Sequence, residues 1–114
     1  MIIKKLSEVP YADTTGYKNV KKQIVIGPGD GSKEIVIRYF SIEPSGNSPR
    51  HTHDFPHLVQ VERGAGVVID VDGQDHPLSK GDYVYVHDME LHSFRNTGSE
   101  PFEFVCTVPA RGEA

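Results

Sequence analysis

Six histidines stand in a chain of 114 residues, and three of them, His51, His53 and His57, are closely spaced. Neutral imidazole is the commonest metal ligand near neutral pH. The i, i+2 spacing of His51 and His53 turns both rings to the same side of an extended segment. Pro56 cannot donate to a sheet ladder, so Asp54-Phe55-Pro56 must bend before His57, and parity binds His57 less strictly. His92 lies 35 residues beyond His57, in an apolar-rich segment that can pair nearby. Converging rings are costly to bury unless both nitrogens of each find partners. A divalent cation takes one nitrogen of each ring, and a hydrogen-bond acceptor holds the other. The competing expectation is a solvated histidine cluster in a polar loop.

The elements that must position these rings are strands. Val and Ile together number 21 against 8 for Leu and Ala, a ratio that suits pleated strands and not a helical bundle. Short apolar runs recur between turn signals: 20–26, 34–42, 57–63, 67–71, 76–78, 83–86, 91–95 and 102–108. Glu43-Pro44-Ser45-Gly46-Asn47 is expected to stop the second run, and Asp72-Gly73 reads as a two-residue hairpin turn. Nowhere do ten residues hold a helical period. An all-β sandwich or barrel follows, organised as a single domain over residues 1–114. Gly27 to Gly31 lacks the Gly-Lys-Ser/Thr ending of a phosphate loop and reads as a hairpin turn.

Composition removes several functions. A formal net charge of -4 argues against a sequence-independent grip on nucleic acid. No apolar run approaches a membrane span, and the N-terminus turns polar too early for a signal peptide. Cys106 is the only cysteine, which excludes an internal disulfide and a cysteine zinc site and suits a cytoplasmic location.

The spacing Gly46-x4-His51-x-His53-x3-His57-x6-Gly64 resembles the first motif of the cupins. Gly81-Asp82 followed by His92-Ser93-Phe94-Arg95-Asn96 resembles the second. The motifs lie within 46–64 and 81–96. The resemblance implies a single-domain double-stranded β-helix, or jelly-roll barrel. It also implies metal ligands His51, His53, His57 and His92, one ion per chain, with His76 and His87 outside the site. Where many cupins place Glu, this chain has His57, which is similar to small single-domain members with four-histidine, manganese-type sites. Ser79-Lys80 stand where the family usually has Pro before Gly-Asp.

Four neutral ligands leave a divalent ion at its full charge, a stronger Lewis acid and a better magnet for enolates, catecholates or carboxylates. An octahedral ion keeps two positions free, enough for a chelating substrate, or for a substrate oxygen beside dioxygen. Mn or Fe is expected, with Ni, Cu or Zn as alternatives. By parity, Phe94 shares the side of His92, and Phe104 and Cys106 lie on one face of the last strand. These residues line the expected apolar cavity. Arg38, mid-strand, either faces that cavity to hold an anionic group or points to solvent. No inward carboxylate is evident as a general acid or base.

These features lead to a metal-dependent oxidoreductase of dioxygenase type acting on a small organic substrate. The alternative is a non-catalytic small-molecule or metal-binding module, such as a sensor. A sugar isomerase would want polar, acidic walls. Resemblance also implies a homodimer, with Leu58 and Gln60 opposite His57 as contact positions and Ile2-Ile3 as an exchanged strand.

Overall fold

The computed structural model describes residues 1–113. Among these residues nine strands form: β1 (Tyr11–Ala12), β2 (Lys18–Ile26), β3 (Ile35–Asn47), β4 (His57–Arg63), β5 (Ala65–Ile69), β6 (Asp75–Ser79), β7 (Tyr83–Val86), β8 (Ser93–Asn96) and β9 (Phe102–Pro109). Short 3-10 turns cover Leu6–Glu8, Pro28–Asp30 and Ala110–Glu113, and there is no α-helix among the described residues. Among the described residues no helix is long and apolar enough to cross a membrane.

All strand pairings are antiparallel, in the order β6-β5-β8-β3-β9-β4-β7, with β2 pairing to β3 and β1 to β2. The long strand β3 organises the sheet. Its first part, Ile35 to Ile42, pairs with β9, while its last residue, Asn47, pairs with Arg95 of β8. The sequence expectation of a stop at Glu43 is therefore corrected. Ser45 takes a left-handed φ of 69° there, so the strand turns a corner and keeps pairing instead of ending. The Asp72-Gly73 turn exists but is longer than two residues. Ile69 faces Asp75, and the Asp70 carboxylate accepts from the amides of Asp72 and Gln74 inside the loop.

The curl gives the sheet an inside. Burial alternates strictly along β9, with Phe102, Phe104, Cys106 and Val108 inward, and along β4, with His57, Val59 and Val61 inward. Val36, Phe40 and Ile42 of β3, Val86 of β7 and Phe94 of β8 join the same core, and Val68 of β5 and Leu78 of β6 pack against it. Full burial of one such side chain contributes roughly 1.5–3 kcal/mol. Gly64, a residue of the first motif, joins β4 to β5 at a φ of 78°, and a Cβ there would collide with the Pro101 carbonyl. Its role is to let two chain segments touch.

Candidate metal centre

Two neighbouring segments hold the four imidazoles. Residues 48–51 run beside 92–94, tied by a Ser48 amide donating to the Phe94 carbonyl at 2.9 Å and by paired backbone bonds between His51 and His92 at 3.1 Å each. The Ser48 hydroxyl accepts from the Phe94 amide at 2.8 Å. His51 and His92 thus face each other across an isolated antiparallel bridge. His53 follows two residues later on the same side. The chain then bends at Asp54-Phe55, as Pro56 requires, and His57 opens β4 opposite Val86.

The rings converge. Ring centroids of His51 and His53 are 4.1 Å apart, those of His51 and His92 5.1 Å, and those of His57 and His92 4.9 Å. The Nε2 atoms of His51 and His53 stand 3.1 Å from each other. Two imidazoles bound at right angles to one ion at ~2.1 Å would place their nitrogens about 3 Å apart. Ligand atoms of His51, His53 and His92 all lie within 4.8 Å of one another, so these three could hold a metal ion. His92 donates from Nδ1 to the Glu90 carbonyl at 2.8 Å, which fixes its tautomer and leaves Nε2 free. His57 is 4% exposed and its Nδ1 is buried without a hydrogen-bond partner. An orphaned imidazole nitrogen inside a barrel is costly unless something else engages it. The grouped donors of His51, His53 and His92 fit a divalent cation, and His57 stands beside that group and outside it.

Electrostatics favours the same occupant. Burial, then the neighbouring rings and Arg38, push the His57 imidazole down to about 3 and that of His51 to about 4. Burial also lowers His53 and His92. At neutral pH all four rings are uncharged, the state in which nitrogen binds metal. Two imidazolium charges 5.0 Å apart, the separation of the His53 and His57 ring centroids, would repel by about 3 kcal/mol at an effective dielectric near 20.

A cavity of about 150 Å³ opens beside the rings. Arg38, Phe94, Phe104 and Cys106, the four pocket residues expected from sequence, all line it. Arg38, which the sequence left open between cavity and solvent, points inward and is 6% exposed. Its Nη2 donates to Cys106 Sγ at 3.0 Å. Burial raises the Cys106 thiol, with Arg38 only partly opposing, so the thiol is neutral. His76 pairs with Asp70 on the surface at 2.7 Å, away from the cluster. His87 packs at a tilt against Tyr85 with centroids 4.3 Å apart.

Three contributors escaped the sequence reading. Phe55 stacks on His53 at 4.8 Å between centroids and leans on His57 at 5.1 Å. Its place midway between these histidines was the available signal. Lys22 lines the cavity from β2, in register with Phe40. Glu113 pairs with Arg38 and Lys22. Glu113 is not among the residues that line the cavity; it reaches their cations from a 3-10 turn far along the chain and carries no local pattern.

A family model described as "Cupin domain" matches residues 38–108. The HTH-type transcriptional activator RhaS of Escherichia fergusonii is 35% identical over 66 residues, which is 58% of this chain and 23% of that protein. The chain thus spans less than a quarter of that curated relative. The polyketide cyclase RemF of Streptomyces resistomycificus superposes with a TM-score of 0.91 at 22% identity, over 96% of this chain and 80% of the other. A cupin 2 domain-containing protein of Halorhodospira halophila superposes with a TM-score of 0.76 at 30% identity, over 81% and 65% of the two chains.

Proposed function

Since the chain belongs to the cupin domain family, matched over 38–108, we propose that it is a metal-dependent oxidoreductase of dioxygenase type acting on a small organic substrate. The observation that carries this reading is a cluster of uncharged imidazoles, with no carboxylate among the grouped ligands, opening into a cavity walled by Phe40, Phe94 and Phe104. His51, His53, His57 and His92 would hold one divalent ion, Mn or Fe before Ni, Cu or Zn. Such an ion supplies Lewis acidity and, as Mn or Fe, access to dioxygen. The chain's own residues do the rest. The Glu90 carbonyl orients His92 through Nδ1. Phe55 packs over two of the rings and keeps water from them, and the Phe94 and Phe104 rings, 4.8 Å apart, make an apolar seat for a flat substrate.

Oxygen uptake by Mn- or Fe-reconstituted protein, screened with diketones, flavonols and catechols, tests the reading. Metal-dependent consumption with one of these classes is expected. No turnover with any of them would overturn it.

A second reading is a non-catalytic binding module. The partial match to a transcriptional activator and the small cavity favour it. Ligand-dependent thermal shifts without product formation would select it.

The same proposal places the chain in the cytoplasm as a homodimer, without nucleic acid or membrane partners of its own. Leu58 pairs with Tyr85 on the outer face of β4 and β7, and the two are 54% and 55% exposed. Gln60 pairs with Tyr83 on that face, and Ile2 and Ile3 are exposed as well. Covering these apolar groups is what a second copy would do. A monomer at micromolar concentration by sedimentation would contradict it.

A further inference from the structure

Beyond the imidazoles, the cavity wall carries two cations, Arg38 and Lys22, and both pair with Glu113, which lies outside the wall itself. Arg38 Nη1 donates to Glu113 Oε1 at 3.2 Å, and Lys22 Nζ lies 2.9 Å from each Glu113 carboxylate oxygen. The side chains of Arg38, Lys22 and Glu113 are only 7%, 13% and 12% exposed. With the Cys106 thiol neutral, the cluster holds one positive charge more than it balances. The Arg38 guanidinium is also incompletely used, because its Nε is buried with no partner. A guanidinium binds a carboxylate best through two parallel bonds, and Glu113 gives it one.

Glu113 is held by these ion pairs more than by the backbone that carries it. It rides on the four-residue turn Ala110–Glu113, which has no buried residue of its own. Three ties fix that turn to its surroundings. The Ala110 amide donates to the Glu34 carbonyl at 3.0 Å, Arg111 reaches the Asp54 carbonyl at 3.3 Å, and Gly112 lies against Phe55. A Cβ on Gly112 would come within 2.6 Å of the Phe55 ring, so the turn closes directly over a side chain that packs on His53 and His57. The cavity of about 150 Å³ is below the roughly 300–1,000 Å³ of ordinary ligand sites. Glu113 itself lines a separate groove of about 660 Å³ with Ile24, Gly27 and Asp30. Its neighbour Gly112 lines the small cavity, so withdrawal of the 110–113 turn enlarges that cavity.

We propose that Arg38 and Lys22 form the carboxylate-binding end of the ligand cavity, and that Glu113 engages both cations in the ligand-free chain as a tethered competitor. An incoming carboxylate takes over the ion pairs and uses the free guanidinium N–H, and the 110–113 turn lifts away. The Phe40 ring lies beneath the guanidinium, 5.1 Å from its central carbon, and Phe94 and Phe104 continue the wall. The chemical class is therefore a small aromatic carboxylate. The inference rests on the reading of this cavity as the ligand site of the proposed function, and it names the substrate class.

Calorimetry on metal-stripped protein tests it with benzoate, and with benzyl alcohol as the uncharged control. Glu113→Gln removes the competitor and should bind benzoate about tenfold more tightly than wild type, the worth of one charge-assisted bond. Benzyl alcohol should bind both proteins equally. Removing Glu113 leaves Arg38 without its anion and can cost folding stability, so wild type provides a second measurement. Saturating benzoate should speed amide hydrogen exchange across 110–113. Equal or weaker benzoate binding by folded Glu113→Gln, exchange that is unchanged or slowed, or no binding to either protein would overturn the proposal. Benzoate binding that needs added metal and is equal in both proteins would also overturn it, by placing the carboxylate on the ion. Absence of oxygen uptake would count against the oxidoreductase reading alone and leave these binding results intact.

Discussion

Asn96, the last residue of the second motif, is a test of which motif residues serve the fold and which the site. It is 5% exposed and stands at the end of β8, and its side-chain hydrogen bonds go to none of the imidazoles. Its Nδ2 donates to the carbonyls of Ile42 and Glu100, each at 2.8 Å, and its Oδ1 accepts from the Gly98 amide at 2.7 Å. One side chain thus fastens the corner of β3 to the turn between β8 and β9. Asn96→Ala removes all three bonds. At about 1 kcal/mol net for each, the variant should lose about 3 kcal/mol. For a domain of this size that corresponds to a melting point lower by roughly 12 °C or more. Asn96→Asp should be no better, because it keeps the acceptor for Gly98 but sets a carboxylate oxygen against two carbonyls. Urea titration followed by circular dichroism gives the free energy, and metal content is measured on the same samples below the transition. Metal retained with stability lost is the expected pair of results. A loss under about 1 kcal/mol, or metal loss from protein that is still folded, would refute the assignment of Asn96 to the fold.

Other outcomes follow from the same geometry. Cys106 is 2% exposed and its thiol is raised by burial, so iodoacetamide should not modify it in the native protein and should do so promptly in urea. Native-state alkylation at the unfolded rate would contradict its placement in the core. For metal-stripped protein, the folded-state values of His57 and His51, about 3 and about 4, lie below their ordinary 6.5. Between those limits the unfolded chain binds protons that the folded chain refuses. Stability should be complete above about pH 6.5 and decline as the pH falls toward 4, before the carboxylates titrate. A melting temperature that is flat from pH 7 to pH 5 would contradict neutral, crowded rings.

Much of this was legible in the sequence because strands repeat every two residues. The period placed β4 and β7 at their observed bounds and put Phe102, Phe104, Cys106 and Val108 on one buried face. It failed at the corner of β3, where Pro44, Ser45 and Gly46 read as a stop although the backbone bends and continues to Asn47. It also left Arg38 undecided. Ile35, Ile37 and Tyr39 on one face of β3 are as apolar as Val36, Phe40 and Ile42 on the other, so parity alone did not say which face is inside. The histidines announced themselves through clustering, and the structure brings their rings together. Glu113 was invisible because nothing local to residues 110–113 encodes a contact with a residue 75 positions earlier. Such a contact is set by where the sheet delivers its last strand.

The most direct test of the account is metal content by elemental analysis of untagged protein, compared with His57→Ala. His57 is the proposed fourth ligand beside His51, His53 and His92, and its buried Nδ1 has no hydrogen-bond partner among the described residues, so the substitution removes one ring without breaking a side-chain hydrogen bond. The account predicts one divalent ion per chain in the parent protein, with Mn or Fe favoured, and loss of that ion from a variant that remains folded. A parent protein purified in complete medium that carries no stoichiometric metal and takes up none on addition of Mn, Fe, Ni, Cu or Zn would contradict it.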